Sequence, residues 1–370
     1  AMVDEMIGGS LSIADNYLVI INDYAYINAK FKARDIWWSV AHMVPALPRL
    51  LGNASSHWEE VAYPQYQASV SEWTETQPEL MTAQALLSGA TALTGAMGRY
   101  VTTLQFDSLG IAAGTEMLFT RVYERLIKRD GEPPAPTYLL GMDSLPIQAE
   151  KALYDLAAWC RQDEALADYL RRTPTADLCG RLDHPTPPAD VGADAWKALR
   201  DRFRSHMDQY GYSIYDLDFA KPIPADDPTP LLQTLKVFLA DEGRNPYARQ
   251  ARLREEREQA TEAIRQRVGG LRWKLFDKTL GWARRHTRLR EDTIVEIGLA
   301  YPALRGLLLE LGERLSDAGM IGEPGDVFWL EIDELEQAAA ALGRAGPVGD
   351  QTDRVEQRRR ESPPAFAAGR

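Results

Sequence analysis

The stretch 210–223, YGYSIYDLDFAKPI, carries the residue types best suited to chemistry in this chain. Asp216 and Asp218 lie two positions apart, so in an extended loop both carboxylates would point the same way. Close like charges raise one of the two pKa values, as separate acid and base roles require. In the functional interpretation, one of these aspartates orients or deprotonates a substrate hydroxyl; in the structural alternative, both only solvate or cap the loop.

Aromatic side chains complete the predicted binding pocket. Tyrosines offer flat apolar walls with a hydroxyl at the tip, and tryptophan rings bury much of a ligand's surface. The predicted substrate-binding residues are Tyr212, Tyr215, Lys221, Tyr24, Tyr26, Trp37 and Trp38. The structural alternative is that the tyrosines pack a corner between helices, with one tryptophan in the core and the other on the surface.

Two helices must position this loop. The preceding one has an apolar stripe over 196–210 and Asp194 as its predicted N-cap. Gly211 is predicted to end that helix in the left-handed conformation. Asp227-Pro228, and later Asn245-Pro246, show the N-cap and N1 pattern with which helices begin.

The whole chain is predicted to be mainly α, a multi-helix domain of two or three subdomains with a small β element near the N-terminus. Residues 11–31 are rich in β-branched and aromatic residues, whereas helical periodicity dominates after Asp35. The predicted parts are a β lead-in over 1–34, a helical subdomain over 35–178, a helical subdomain with the 210–223 loop over 179–345, and a linker-like tail over 346–370.

Composition restricts the function. The 370 residues are 45% hydrophobic and carry a net charge of −12, which disfavours binding to nucleic acid. Two cysteines outside any CxxC pair fit a reducing cytoplasm, and neither a signal peptide nor a membrane-spanning apolar run is visible. We therefore expect a cytoplasmic protein with no membrane partner.

Motifs for a bound cofactor or metal are missing from the sequence. It contains no GxxxxGK[ST], no GxGxxG after a strand and no HExxH, and its five histidines lie in unrelated contexts. Asp226-Asp227 would be the candidate for Mg²⁺, but Asp227 is better explained as a helix cap. The chain by itself is predicted to bind no cofactor and no metal.

Three blocks resemble the phosphoenolpyruvate-synthase-like enzymes, the group that includes rifampicin phosphotransferase. They are FRSHMDQYGYSIYDLDFAKPIPADDPTPLL (203–232), REDTIVEIGLAYPALRGLLLELGERL (290–315) and RLSDAGMIGEPGDVFWLEIDEL (314–335). A less specific block, SLSIADNYLVIINDYAYIN (10–28), also agrees, and all four follow the family's order. One departure concerns Tyr212, which stands where the family commonly has histidine.

The resemblance implies that the chain is one domain of a larger, multidomain enzyme. Such enzymes combine an ATP-grasp domain, a mobile domain whose histidine carries the phosphoryl group, and a helical domain that holds the acceptor. Neither the nucleotide site nor the Thr-x-Gly-Gly-x-x-Ser-His setting of the carrier histidine is found here, so the chain corresponds to the acceptor-binding domain alone. ATP and Mg²⁺ are then implied for the other domains, which would act in cis or in trans on a hydroxyl-bearing small molecule.

Two other function classes remain open at the level of sequence. One is a stand-alone dehydratase or lyase of natural-product biosynthesis that uses the loop carboxylates as acid and base. The other is a non-catalytic protein that binds a ligand. Tyr212 at the histidine position favours these classes, whereas the linker-like tail favours the acceptor domain, which is the interpretation we adopt.

Overall fold

The computed structural model describes residues 18–21, 24–27, 57–214, 217–240, 245–342 and 351–361, and these are predominantly helical. The prediction of a mainly α protein is therefore confirmed. The chain divides into two compact units, one formed by residues 54–311 and the other by residues 1–53 together with 312–370. The subdomain boundaries proposed from sequence stay predictions.

The unit of residues 54–311 is built from long helices joined by short turns. Its α-helices are α1 Tyr63–Thr74, α2 Ala83–Leu104, α3 Ile111–Val122, α4 Leu145–Cys160, α5 Glu164–Arg172, α6 Thr175–Asp183, α7 Ala193–Tyr210, α8 Thr229–Leu239, α9 Pro246–Arg267, α10 Gly270–Glu296 and most of α11 Tyr301–Asp317. Wider π-helical turns lie at Trp58–Ala62, Gln105–Gly110 and Tyr123–Ile127, and 3-10 turns at Pro78–Leu80, Ala135–Leu139 and Ile297–Ala300. Within the described ranges, no helix is both long enough and apolar enough to cross a membrane.

Two buried clusters hold this unit together. In the first, helices α4 to α8 surround Trp196, which is completely buried. In the second, α3 packs along α10, and the rings of Phe119, Tyr123, Tyr138 and Phe276 meet with centroid separations of 4.9–6.1 Å. Each such ring contributes about 1.5–3 kcal/mol when it is removed from water.

Local signals determine where the helices near the loop begin. The Asn245 side chain accepts hydrogen bonds from the N–H groups of Tyr247 and Ala248, which confirms the predicted start of α9. Asp227 Oδ1 accepts a hydrogen bond from the Thr229 N–H at 3.0 Å at the start of α8. The prediction for α7 was wrong by two positions, because Gly192 rather than Asp194 occupies the N-cap.

Gly211 does not adopt the predicted left-handed conformation. Its φ of −66° is right-handed, and its N–H continues the helical pattern by donating to Met207 O at 2.7 Å. The next hydrogen bond, from Ser213 N to Tyr210 O at 3.0 Å, leads the chain out of the helix through an ordinary turn. A left-handed residue is therefore unnecessary at this helix end.

The other unit contains a strand pair and the C-terminal helices. Strand β1 (Leu18–Ile21) pairs antiparallel with β2 (Tyr24–Ile27), and both lie in the segment for which the sequence predicts a β element. A 3-10 turn at Pro324–Trp329 precedes α12 (Ile332–Leu342) and α13 (Thr352–Glu361), the latter inside the tail predicted as linker-like.

Charged contacts hold α13 in place within this unit. Arg354 and Arg358 donate to the carboxylate of Glu334 on α12 at 3.0 and 2.6 Å, and these bonds hold the Glu334 pKa down at about 2. Arg359 donates to buried Asp326 at 2.5 Å.

Candidate functional site

The loop between α7 and α8 contains the described part of the predicted site. Tyr212 is half-buried at its start, while Asp218 and Lys221 are exposed further along. The other predicted residues cannot be placed in the same way. Tyr215, Asp216, Trp37 and Trp38 lie outside the described residues, and for Tyr24 and Tyr26 the structure describes only the backbone of β2. The predicted roles of all nine residues therefore stay predictions.

Asp218 and Lys221 form the exposed part of the loop. Lys221 Nζ lies 3.8 Å from Asp218 Oδ2, and both side chains keep about half of their surface in contact with solvent. Asp218 Oδ1 also accepts a hydrogen bond from the Ala220 N–H at 3.0 Å, which fixes the carboxylate over a local turn. The two charges are thus ordered and accessible to a polar ligand.

A buried arginine anchors the rest of the loop. Arg305 on α11 is only 5% exposed and donates from Nε to Asp226 Oδ2 at 2.6 Å and from Nη1 to Phe219 O at 2.5 Å. The same Asp226 oxygen accepts the Ile223 N–H at 3.0 Å. Charge-assisted hydrogen bonds of this kind are short and strong. They hold the second half of the loop against α11.

A glycine lets the first half of the loop approach the end of α10. A Cβ atom built on Gly298 would lie 2.0 Å from Tyr212 O and 3.0 Å from the side chain of Ile214. No other residue type fits such a close backbone approach. Gly298 therefore fixes the position of Tyr212 next to the last turn of α10.

This approach brings Tyr212 to a buried carboxyl group. Tyr212 Oη donates to Glu296 Oε1 at 3.3 Å, and Glu296, the last residue of α10, is 6% exposed. Tyr63 at the start of α1 lies near the same carboxyl and affects its pKa. Two half-buried tyrosines from different elements therefore lie beside the Glu296 carboxyl, and Tyr212 is hydrogen-bonded to it.

Two further tyrosines stack beside Glu296. The rings of Tyr66 and Tyr100 are parallel, with centroids 4.4 Å apart. Tyr66 Oη donates to Ile297 O at 2.7 Å, and Tyr100 Oη donates to Thr293 O at 3.2 Å. These bonds join α1 and α2 to the end of α10, and the whole cluster is ordered by packing and hydrogen bonds together.

Burial controls the electrostatics of this cluster. It raises the pKa of the Glu296 carboxyl above its usual value; the neighbouring hydroxyls of Tyr63 and Tyr212 oppose the shift, and the charge of Asp292 adds to it. Burial and the nearby Glu296 charge raise the pKa of Tyr63 to about 12 and also raise that of Tyr212. Both tyrosines therefore keep their protons at neutral pH, and Tyr212 acts as a hydrogen-bond donor to the carboxyl.

Glu296, Arg305 and Tyr63 were not among the residues predicted from sequence. A signal existed for the first two, because each is a lone charge inside an apolar run, TIVEIG and PALRGLL. Charges in such runs are buried and paired, and they often mark a site. Tyr63 gave no comparable signal, since its partner is distant in the chain.

A cavity lies away from the loop. It has a volume of about 450 Å³, is lined by residues 126–129 and by Arg267, Val268, Gly269 and Arg272, and contains none of the predicted site residues. The described residues contain no group of three or more His, Cys, Asp or Glu side chains placed to hold a metal ion.

Comparison with known proteins points to one family. Residues 110–291, just under half of the chain, match the model of the family described as the rifampicin phosphotransferase fourth domain. The match includes the 210–223 loop and ends shortly before Glu296. This confirms the family resemblance found in the sequence.

A curated relative is the chondramide synthase of Chondromyces crocatus. It is 27% identical over 226 residues, which make up 60% of this chain and 6% of that protein. The matched part of the chain thus spans a small fraction of this relative's length.

Proposed function

We propose that this chain is the acceptor-binding domain of an ATP-dependent phosphotransferase. A phosphohistidine on another domain would pass its phosphoryl group to a hydroxyl held by the 210–223 loop. The observation that supports this most directly is that the matched family segment contains the loop. A domain that only positions a hydroxyl for phosphoryl transfer needs orientation and electrostatics rather than covalent chemistry of its own.

The proposed acceptor is a hydroxyl-bearing antibiotic or natural-product intermediate. The family takes its description from a rifampicin phosphotransferase, and the curated relative is called a chondramide synthase. In this proposal the exposed Asp218 and Lys221, together with Asp216, contact the polar groups of the acceptor. Tyr212 and Tyr215 line its apolar part.

The experiment uses the full parent protein with ATP, Mg²⁺ and three acceptor probes, namely rifampicin, chondramide and benzyl alcohol. Mass spectrometry should detect the addition of one phosphoryl group to at least one probe. No phosphorylated product should form with the isolated chain. Conversion of an unphosphorylated probe by the isolated chain would instead support a dehydratase or lyase.

Asp218→Asn tests the role of the loop. It should raise the KM for the acceptor about tenfold, because a hydrogen bond to a charged group is lost. The matched control is Asp168→Asn, since Asp168 forms a similar exposed i,i+3 pair with Arg171 at 2.7 Å. If the two substitutions changed the KM equally, Asp218 would not be part of the acceptor-binding site.

A further inference from the structure

A buried carboxyl group beside a predicted substrate loop needs a physical reason. Burying a carboxyl is costly unless hydrogen bonds or an opposite charge compensate. Among the described residues, Glu296 has no lysine or arginine partner, and its Oε2 atom has no hydrogen-bond partner at all. Stability therefore does not account for a carboxyl at this position.

The hydroxyls around Glu296 fall into two kinds. Tyr66 and Tyr100 donate their protons to the backbone carbonyls of Ile297 and Thr293, so they cannot donate to the carboxyl at the same time. Tyr212 does hydrogen-bond to it, and Tyr63 lies close by. Because these two are half-buried whereas Glu296 is buried, they are the members of the cluster with surface to offer a ligand.

We infer that Glu296 accepts the proton of the bound acceptor hydroxyl and that Tyr212 relays it. The inference rests on the proposed function. The acceptor O–H bond breaks as its proton passes to Tyr212 Oη, and the Tyr212 proton passes to Glu296 Oε1, forming the carboxyl O–H bond. The electron pair left on the acceptor oxygen forms the bond to the phosphoryl group as the phosphohistidine P–N bond breaks.

The charges around Glu296 favour this direction of proton movement. The titratable groups that face it are Tyr63 and Tyr66 from α1, Tyr100 from α2, Tyr212 from the loop, and Asp292 from α10. None of them is positively charged, and Asp292 disfavours a second negative charge nearby. A proton that reaches the carboxyl is consequently stabilised there.

The test measures the pH dependence of phosphoryl transfer in the full parent protein, with whichever of rifampicin, chondramide or benzyl alcohol it phosphorylates. In the wild type, kcat should fall at low pH as Glu296 becomes protonated. Glu296→Gln should lower kcat about 100-fold and abolish this acidic limb, and Tyr212→Phe should lower kcat similarly. Glu296→Asp should retain the limb, because it keeps a carboxyl group.

A matched control is Tyr247→Phe. Tyr247 Oη donates to Asp155 at 2.6 Å, so this variant removes an equivalent tyrosine–carboxylate bond at another place. It should leave the rate and the pH profile unchanged. A purely structural role for Glu296 would instead lower the melting temperature and leave the shape of the profile as it is.

A measurement on the wild type covers the case in which a variant does not fold. With ¹³C-labelled glutamate, NMR should show one carboxyl that titrates at the pKa of the kinetic limb. The inference is overturned if no such carboxyl exists, or if Glu296→Gln keeps the wild-type profile while product still forms. If the wild type phosphorylates none of the probes, the proposed function fails, and this inference fails with it.

Discussion

His206 on α7 shows how a single buried side chain makes the stability of this unit depend on pH. It is 7% exposed, lies against the ring of Tyr210, and neither ring nitrogen has a hydrogen-bond partner among the described residues. Burial lowers its pKa to about 4. The unfolded chain then binds a proton near pH 6.5, whereas the folded protein does so only near pH 4.

We therefore expect the folded protein to lose stability as the pH falls from about 6.5 to about 4, by up to about 3 kcal/mol. Stability falls as the pH falls because the unfolded state binds more protons than the folded state throughout this range. His206→Leu should reduce the loss, as a leucine cannot be protonated. Urea unfolding at about pH 7 and about pH 5 measures the difference, with exposed His184→Leu as the control. Equal acid sensitivity of the wild type and His206→Leu would contradict the expectation.

At the scale of elements, the close approach of the loop to α10 depends on Gly298. Gly298→Ala should destabilise the protein by about 2–3 kcal/mol, because its Cβ would overlap Tyr212 O and force the backbone apart. Urea unfolding measures this change. In Gly281→Ala, the control on α10, the new Cβ meets no atom within 4 Å, so its effect should be neutral or stabilising by up to about 1 kcal/mol. A neutral Gly298→Ala would show that the loop does not need this contact.

The elements themselves were largely predictable from the sequence. The apolar stripe of α7 and the side-chain cap of Asn245 depend on neighbours a few positions away, and such neighbours are visible in the sequence. The end of α7 was mispredicted at Gly211, because glycine there was taken as a sign of left-handed geometry. The close contact that requires a glycine lies at Gly298, far along the chain, and no local pattern indicates it.

At the scale of the whole molecule, the candidate site is assembled from distant segments. The bond from Tyr212 to Glu296 spans 84 positions, and the bond from Arg305 to Phe219 spans 86. Sequence reasoning identified the loop because its composition is unusual and because it resembles a family block. It missed the residues that support the loop from α1, α10 and α11. Such partners are determined by packing, which a local pattern does not specify.

In the proposed parent protein, another domain carries the phosphohistidine and this chain binds the acceptor. The isolated chain, incubated with ATP and Mg²⁺, should gain no phosphohistidine. His206 and His286 are buried and His57 and His184 are exposed, but none of the five histidines has the glycine-rich setting of a carrier histidine. An ATP-dependent phosphorylation also needs a site that cradles the phosphates, and no motif for one is visible in the sequence.

Mass spectrometry under alkaline conditions, which preserve phosphohistidine, provides the measurement. The full parent protein serves as the positive control and should become phosphorylated on a histidine outside this segment. If the isolated chain became labelled on any of its own histidines, it would be an autonomous phosphoryl carrier rather than an acceptor domain. If neither protein became labelled, the phosphohistidine relay itself would be wrong. Labelling of the parent alone, followed by transfer to a hydroxyl-bearing probe, is the result that the proposed function leads us to expect.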